Sequence, residues 1–248
     1  MGSPRLREVH DAVVACVAAG EQPVVLLDLD STLLHTGARH DRVLQRFVRL
    51  NRDRGGDEWD ALRAAAATIT AADFGYEVID PLRARGLTLP TVERELLRYW
   101  RRFYFTSTAC AVDRPAAGAV AYVQALHGAG AFVAYLTGRP QRAMERGTRQ
   151  NLRSLGFPLG DARSSLRLKP DGARGDKEWK GSVLDEVRAV GRLVAQFENE
   201  PGNANVFLGA FPEALHFLVG SICSPNAEEP DPRLIRTADF VLAEEGAR

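Results

Sequence analysis

Val24-Val25-Leu26-Leu27-Asp28-Leu29-Asp30-Ser31-Thr32 is the stretch on which the fold turns. Four consecutive apolar residues read as a fully buried strand, the kind that a parallel sheet covered on both faces requires. The run ends in two carboxylates at i and i+2, which project to one side where the strand stops. Open α/β sheets bind ligands beyond the carboxyl ends of their strands. Two acids at such a place repel each other and are costly to desolvate without a cation or protons. The pair points to a metal site, an acid/base pair, or both. The competing reading is local: Ser31 or Thr32 caps a following helix.

The pattern of apolar strands ending in reactive polar residues recurs. Residues 5–19 read as an amphipathic helix stopped by Gly20 and Pro23. A helix is expected over 115–127, ended by Gly128 and Gly130, followed by the strand Ala131–Leu136, then Thr137-Gly138-Arg139-Pro140 and a helix of about 15 residues. Ser165–Leu168 is a short strand, 169–177 a polar loop, and a helix opens near Lys180. Arg192–Phe197 is a third apolar strand, ending in Glu198-Asn199-Glu200. Leu215–Gly220 and Phe240–Leu242 are the expected last strands. Strands alternating with helices imply an α/β protein with a Rossmann-like, doubly wound parallel sheet.

Between the first strand and the rest lies a helix-rich block, from about Leu33 to Cys110. Arg42–Val48, Ala61–Ile69 and Val92–Phe103 carry helical periodicity, and Gly55-Gly56, Asp80-Pro81 and Gly86 to Pro90 break the block into pieces. It is expected to form a helical cap over the sheet's carboxyl edge. The implied division is 1–34 with 111–248 as core and 35–110 as cap.

Composition narrows the function classes. The chain has 248 residues with 45% hydrophobic and 26% charged content and a formal net charge of zero, so no global field favours nucleic acid or an anionic membrane. Its three cysteines, Cys16, Cys110 and Cys223, are widely spaced and lack metal-ligand or disulfide patterning. Glu8, His10 and Asp11 interrupt the amino-terminal segment, and no run reaches the length of a membrane span, so a cytoplasmic protein is expected. Lys169, Lys177 and Lys180 are the only lysines among 32 basic residues, which singles each of them out.

With these elements in place, the chain resembles the haloacid dehalogenase-like superfamily of phosphatases and phosphotransferases. The likeness is carried by Asp28-Leu29-Asp30-Ser31-Thr32 after the first strand, by Leu136-Thr137-Gly138-Arg139 at the end of the next, by Lys180, and by an acid ending a later strand, Glu198. It spans roughly 20–32 and 113–245; the Asp-Arg-Pro lead-in and Leu-Thr-Gly-Arg-Pro are similar to acid-phosphatase-like branches. The resemblance implies a phosphomonoester hydrolase in which Asp28 is the nucleophile, Asp30 the general acid and base, and Thr137 with Gly138 the phosphoryl-oxygen site. It makes Lys180 the charge balance and Thr32 and Arg139 candidate substrate contacts. It further implies Mg²⁺ held by Asp28, the Asp30 carbonyl and Glu198, with Asn199 a further candidate. Those roles agree with the needs of phosphoryl transfer: an in-line nucleophile, neutralised oxygens and a proton for the leaving group.

The fourth station departs from the family pattern, which ends that strand with aspartate. Glu198, Asn199, Glu200 and Asn203 are all candidates for the ligand set, Glu198 first because it follows the strand immediately; Glu200 alternatively caps a helix opened by Pro201. Lys169 and Lys177 are the rivals to Lys180. His35, His40, His127 and His216 are read as structural or exposed. The cap arginines Arg39, Arg42, Arg46, Arg49, Arg52, Arg54, Arg98, Arg101 and Arg102 form either an anionic-substrate gate or solvated helix faces with acidic partners. Trp59, Phe74, Tyr76, Trp100, Phe103 and Tyr104 line a pocket or form the cap's own core. The expected substrate is a small phosphorylated metabolite. The same intermediate also serves a phosphotransferase or mutase, and a non-catalytic phosphate-binding module is the reading from a different class.

Overall fold

The computed structural model describes residues 3, 5–173, 175–220 and 222–242. In chain order the regular elements begin with α1 (Leu6–Ala18), β1 (Pro23–Leu27) and the two-residue β2 (Leu34–His35). The helices α2 (Gly37–Leu50), α3 (Asp57–Ala66), α4 (Asp80–Ala84) and α5 (Pro90–Tyr104) follow. The chain then passes through β3 (Arg114–Pro115), α6 (Ala119–Gly128), β4 (Phe132–Pro140), α7 (Gln141–Leu155) and β5 (Ser164–Lys169). It closes with α8 (Asp176–Ser182), α9 (Leu184–Val190), β6 (Arg192–Glu198), α10 (Pro201–Ala210), β7 (Leu215–Val219) and β8 (Ile235–Thr237).

Six strands form one sheet in the order β5-β4-β1-β6-β7-β8, every neighbouring pair parallel. Each residue of β1 is buried, as a central strand covered on both faces requires. From β1 the chain winds outward through β4 and β5, then returns to the other side of β1 with β6. The direction of winding therefore reverses at β1, and the crevice beyond its carboxyl end is the switch point of the sheet. β2 and β3 pair as a small antiparallel ribbon at the two ends of the helical insertion. The architecture is the α/β sheet with an inserted helical cap that the sequence pattern leads one to expect.

Several local expectations are corrected. The helix expected from 115 begins at Ala119, because Gly118 takes φ 75° and Arg114–Pro115 is drawn into the ribbon with β2. Asp80-Pro81 does divide the block as expected, by opening α4, with Pro81 in the first turn, where its missing N–H costs nothing. Lys180 lies inside α8 instead of opening a helix. Phe240–Leu242 is not a strand. The last strand is β8, and Phe240 is a buried core residue whose N–H donates to the Ala117 carbonyl.

Apolar clusters fill both faces of the sheet and the cap. On one face Val24, Leu26, Leu136, Trp179, Leu193 and Phe207 pack together, with a smaller cluster around Leu208 and Leu218. The two largest cores lie elsewhere. One packs β1, β4, β6 and β7 against α1 and α6, with Phe197 stacked on Phe217 at 4.6 Å. The other belongs to the cap and gathers Leu44, Phe47, Leu62, Ile79, Leu96 and Trp100. No helix of the described residues is long and apolar enough to cross a membrane.

Candidate active site

The end of β1 builds one half of the site. Asp28 is buried, and its N–H donates to the Phe197 carbonyl of β6, which fixes the strand end. After Asp30 the chain reverses through Ser31, the only described non-glycine residue with positive φ, at 60°. That left-handed conformation is costly for a residue with a Cβ. It lets the Ser31 N–H reach the Leu34 carbonyl at 2.9 Å. No helix starts at Ser31 or Thr32, so neither is a cap. Thr32 is buried, its hydroxyl 3.4 Å from Asn199 Oδ1, and it does not line the cavity.

Lys180 joins two of the strand ends. Its Nζ donates to Asp28 Oδ1 at 2.7 Å and to Glu198 Oε2 at 2.6 Å, all three groups being buried. Glu198 Oε1 accepts the N–H groups of Asn199 and Glu200, each at 3.1 Å. Two carboxylates against one ammonium leave an excess negative charge in a desolvated place. Burial and the Glu198 carboxylate push Asp28 above the ordinary carboxylate range against the pull of Lys180. Burial opposes the ammonium of Lys180, but Asp28 and Glu198 outweigh it and raise its pKa. Lys169 instead pairs with Asp176, and Lys177 with Glu228.

Asp30 is held differently. Arg139 reaches its Oδ1 and Oδ2 through Nε, both at 3.1 Å, and Arg39 reaches Oδ1 through Nη2 at 3.1 Å. Both guanidiniums also bind Asp113, Arg139 at 2.8 Å and Arg39 through Nε at 2.9 Å. Arg39, Arg139 and Asp113 are all but fully buried, so this is a neutral quartet of two arginines and two aspartates. Burial alone would raise Asp30; Arg139 and then Arg39 reverse that and hold its carboxyl below the usual range. Its side chain keeps 30% exposure, which leaves it facing the cavity.

The quartet revises two readings. Arg139 is a clamp on Asp30, with Nη1 on Thr148, rather than a free substrate contact. Arg39 is neither a gate nor a solvated residue, and among the described residues no cap arginine lines the cavity. Arg39 and Asp113, which hold Asp30 and Arg139 in place, are the positions whose pairing the sequence reading does not give. The available signal was periodicity: Arg39, His40, Val43, Leu44 and Phe47 are the buried face of α2.

The cavity between these groups measures about 150 Å³. Asp28, Asp30, Thr137, Gly138, Lys180 and Glu198 meet there with Asn199 and Asn203, under a cap wall that includes His40, Tyr76, Trp100 and Tyr104. Thr137 is buried at the end of β4's central part, where the ladder to β5 shifts register. A Cβ on Gly138 would meet Asp176 Oδ2 at 2.0 Å, so only glycine lets Asp176 lie this close to the backbone here. Asn199 serves as a strut, accepting from Thr32 and donating to the Ile222 carbonyl at 2.8 Å. Glu200 caps nothing through its side chain; its carboxylate accepts from Ser224 N and Oγ at 2.6 and 3.0 Å.

His40 bears on stability. It is buried among Phe74, Trp100 and Tyr104, with centroids 5.5, 5.8 and 4.4 Å away, and Nδ1 has no partner. Burial, aided by Arg39 and opposed by Asp30, lowers its pKa to about 3. The folded state therefore keeps His40 neutral where the unfolded chain, near pKa 6.5, takes a proton, and stability falls as pH drops below that value. Between pH 7 and pH 5 this one group costs about 2 kcal/mol. Urea midpoints of wild type and His40→Phe at the two pH values check it: the variant should lose less stability on acidification, and equal losses would refute the assignment.

No protein-family model and no curated protein matches the chain. Solved structures do. Protein tyrosine kinase A from Mycobacterium tuberculosis is similar at 18% identity over 88% of this chain and 94% of its own, with a TM-score of 0.53. A candidate phosphatase from Clostridium difficile is similar at 15% identity over 80% of this chain and 85% of its own, with a TM-score of 0.50. A class C acid phosphatase from Bacillus anthracis, solved with tungstate bound, shows 15% identity and a TM-score of 0.44 over 80% of this chain, which spans 62% of that protein's length. Other matching structures are of haloacid dehalogenase-like hydrolases. At these identities the likeness is one of fold alone: the chain shares the α/β fold of the two structures matched at TM-scores of 0.53 and 0.50.

Proposed function

We propose that the chain is a Mg²⁺-dependent phosphomonoester hydrolase that works through an aspartyl-phosphate on Asp28. The observation that carries this reading is Lys180 Nζ held between Asp28 and Glu198 in a cavity that Thr137 and Gly138 also line. A carboxylate oxygen is presented beside a cation and beside a hydroxyl and an amide, the groups needed to attack phosphorus and hold its oxygens. Asp28 attacks phosphorus, an acyl-phosphate bond forms, and the ester oxygen leaves. Water then attacks the same phosphorus, Asp30 takes its proton, and Asp28 is released with phosphate.

Arg139 and Arg39 favour ionised Asp30, which is the base of the second step. Protonating an alkoxide in the first step requires that clamp to relax, so esters whose leaving group departs without a proton are the better probes.

The donor set fits a hard cation. It consists of oxygens, and the Asp28–Glu198 pair carries one more negative charge than Lys180 neutralises. Among the described residues no cluster of three or more His, Cys, Asp or Glu is placed to hold a metal, so amide and carbonyl oxygens complete the set. Asp28, the Asp30 carbonyl and Glu198 are the proposed ligands. Asn203, which lines the cavity, is better placed than the engaged Asn199 to join them. When bound, Mg²⁺ would neutralise phosphoryl oxygens as a Lewis acid.

Hydrolysis of an aryl phosphate with Mg²⁺, after chelation, and after Mg²⁺ is restored tests the reading. Turnover should appear, vanish and return. Absence of turnover across a broad panel of phosphate esters with Mg²⁺ present would sink it.

A further inference from the structure

A second concave surface lies at the seam between cap and core, away from the cavity described above. It is a groove of about 430 Å³ lined by Arg42 of α2, Ser107 of the connecting segment, and Arg146, Gln150, Asn151 and Ser154 of α7. Arg42 and Arg146 are exposed, and among the described residues neither has a carboxylate partner. The nearby acids are engaged elsewhere. Glu145, the one acid of α7, is bound by Arg149 at 2.9 Å, and Asp41 accepts from Gln45 at 3.2 Å. In the cap, Asp60, Asp73, Glu93 and Glu95 pair with Arg63, Arg85, Arg83 and Arg54. Among the described residues the exposed cap arginines Arg42, Arg46, Arg49, Arg98, Arg101 and Arg102 have no carboxylate partner, against the expectation, and of these Arg42 lines this groove.

Two further observations point to a ligand. Asn151 is buried, yet its Oδ1 has no donor. A buried acceptor without a partner is expensive, and an arriving donor relieves it. The groove's wall is also rigid. A Cβ on Gly147 would meet the Ser107 carbonyl oxygen at 2.0 Å, and Ser107 Oγ donates to the Ala143 carbonyl at 3.0 Å while accepting from Gly147 N–H at 3.1 Å.

We propose that this groove is a non-catalytic site for a phosphoryl dianion, held between the guanidiniums of Arg42 and Arg146 with its hydroxyl donating to Asn151 Oδ1. Arginine forks suit phosphate oxygens, and monohydrogen phosphate carries the donor that Asn151 lacks. Because Arg42 belongs to the cap and Arg146 to the core, the bound anion ties one to the other.

Titration calorimetry of the full chain with inorganic phosphate at low ionic strength tests this. In a Lys180→Met background, which weakens phosphate in the catalytic cavity, one binding event should remain. Adding Arg42→Gln and Arg146→Gln should weaken that event at least tenfold. Both side chains are exposed, so folding is not at stake, and with Lys180 intact the double variant should keep wild-type turnover of aryl phosphate. Glycerol phosphate run in parallel tests the Asn151 contact: its phosphoryl dianion carries no P–OH, so it should bind severalfold more weakly than inorganic phosphate, and equal affinity of the two would overturn that contact. Isotherms that overlay with and without the two arginines in the wild-type background, or no binding in a Lys180→Met protein that circular dichroism shows to be folded, overturn it, whatever the outcome of the hydrolase assay.

Discussion

Asp28→Asn is expected to reduce aryl phosphate turnover by about 10⁴-fold or more, to the level of the assay background. The amide matches the carboxylate in shape but lacks the charge and lone-pair reactivity to attack phosphorus. Removing one of two buried carboxylates around Lys180 leaves a balanced Lys180–Glu198 pair, so the fold should be kept and its melting temperature unchanged or raised. That combination, a sound fold with no chemistry, separates loss of a nucleophile from damage to the site. Acid quenching during turnover should trap phosphate on wild-type protein and none on the variant. Retention of more than about a tenth of wild-type kcat would remove Asp28 from the nucleophile's role.

The second large effect is on stability. Asp113→Ala leaves Arg39 and Arg139 buried with only Asp30 between them, an uncompensated positive charge in a dry place. Breaking a buried pair in this way costs about 3–5 kcal/mol, which for a chain of this size lowers Tm by about 6–20 °C. The partner Arg39→Met should cost a similar amount alone. Combining Arg39→Met with Asp113→Ala should cost less than the two single losses together, since charge and countercharge leave at once. Urea melts of the three variants and wild type give the cycle. A loss under about 1 kcal/mol for Asp113→Ala would mean that the quartet is hydrated and of little consequence.

Strand ends were legible because burial writes itself into sequence as apolar runs. Val24–Leu27 and Arg192–Phe197 each deliver acids where the run stops, and the fold brings Asp28 and Glu198 within reach of one lysine. The quartet was harder to see. Arg39 is one of thirteen arginines in the cap, and an arginine on a helix ordinarily points to water. Its burial depends on Asp113, which lies beyond the whole insertion, and no local pattern connects the two. The same holds for β8, whose three residues carry too little periodicity to stand out. Glu200 shows the converse: the local rule places it at the N-cap of the helix opened by Pro201, but its carboxylate is taken by Ser224, a partner supplied by tertiary structure.

The placement of β1 also governs how the chain reaches its native state. Val24 pairs with Phe132 on one side and with Leu193 on the other, so the central strand of the sheet has no neighbour until most of the polypeptide has been made. Closing such loops is entropically slow, and an unpaired Val-Val-Leu-Leu segment is an aggregation hazard while it waits. The insertion that follows β1 shortens the wait. Its helices contact one another locally and gather their own core, so a long floppy loop becomes a compact body whose ends already meet through β2 and β3. The element that roofs the candidate active site thereby also helps bring β4 to β1 during folding.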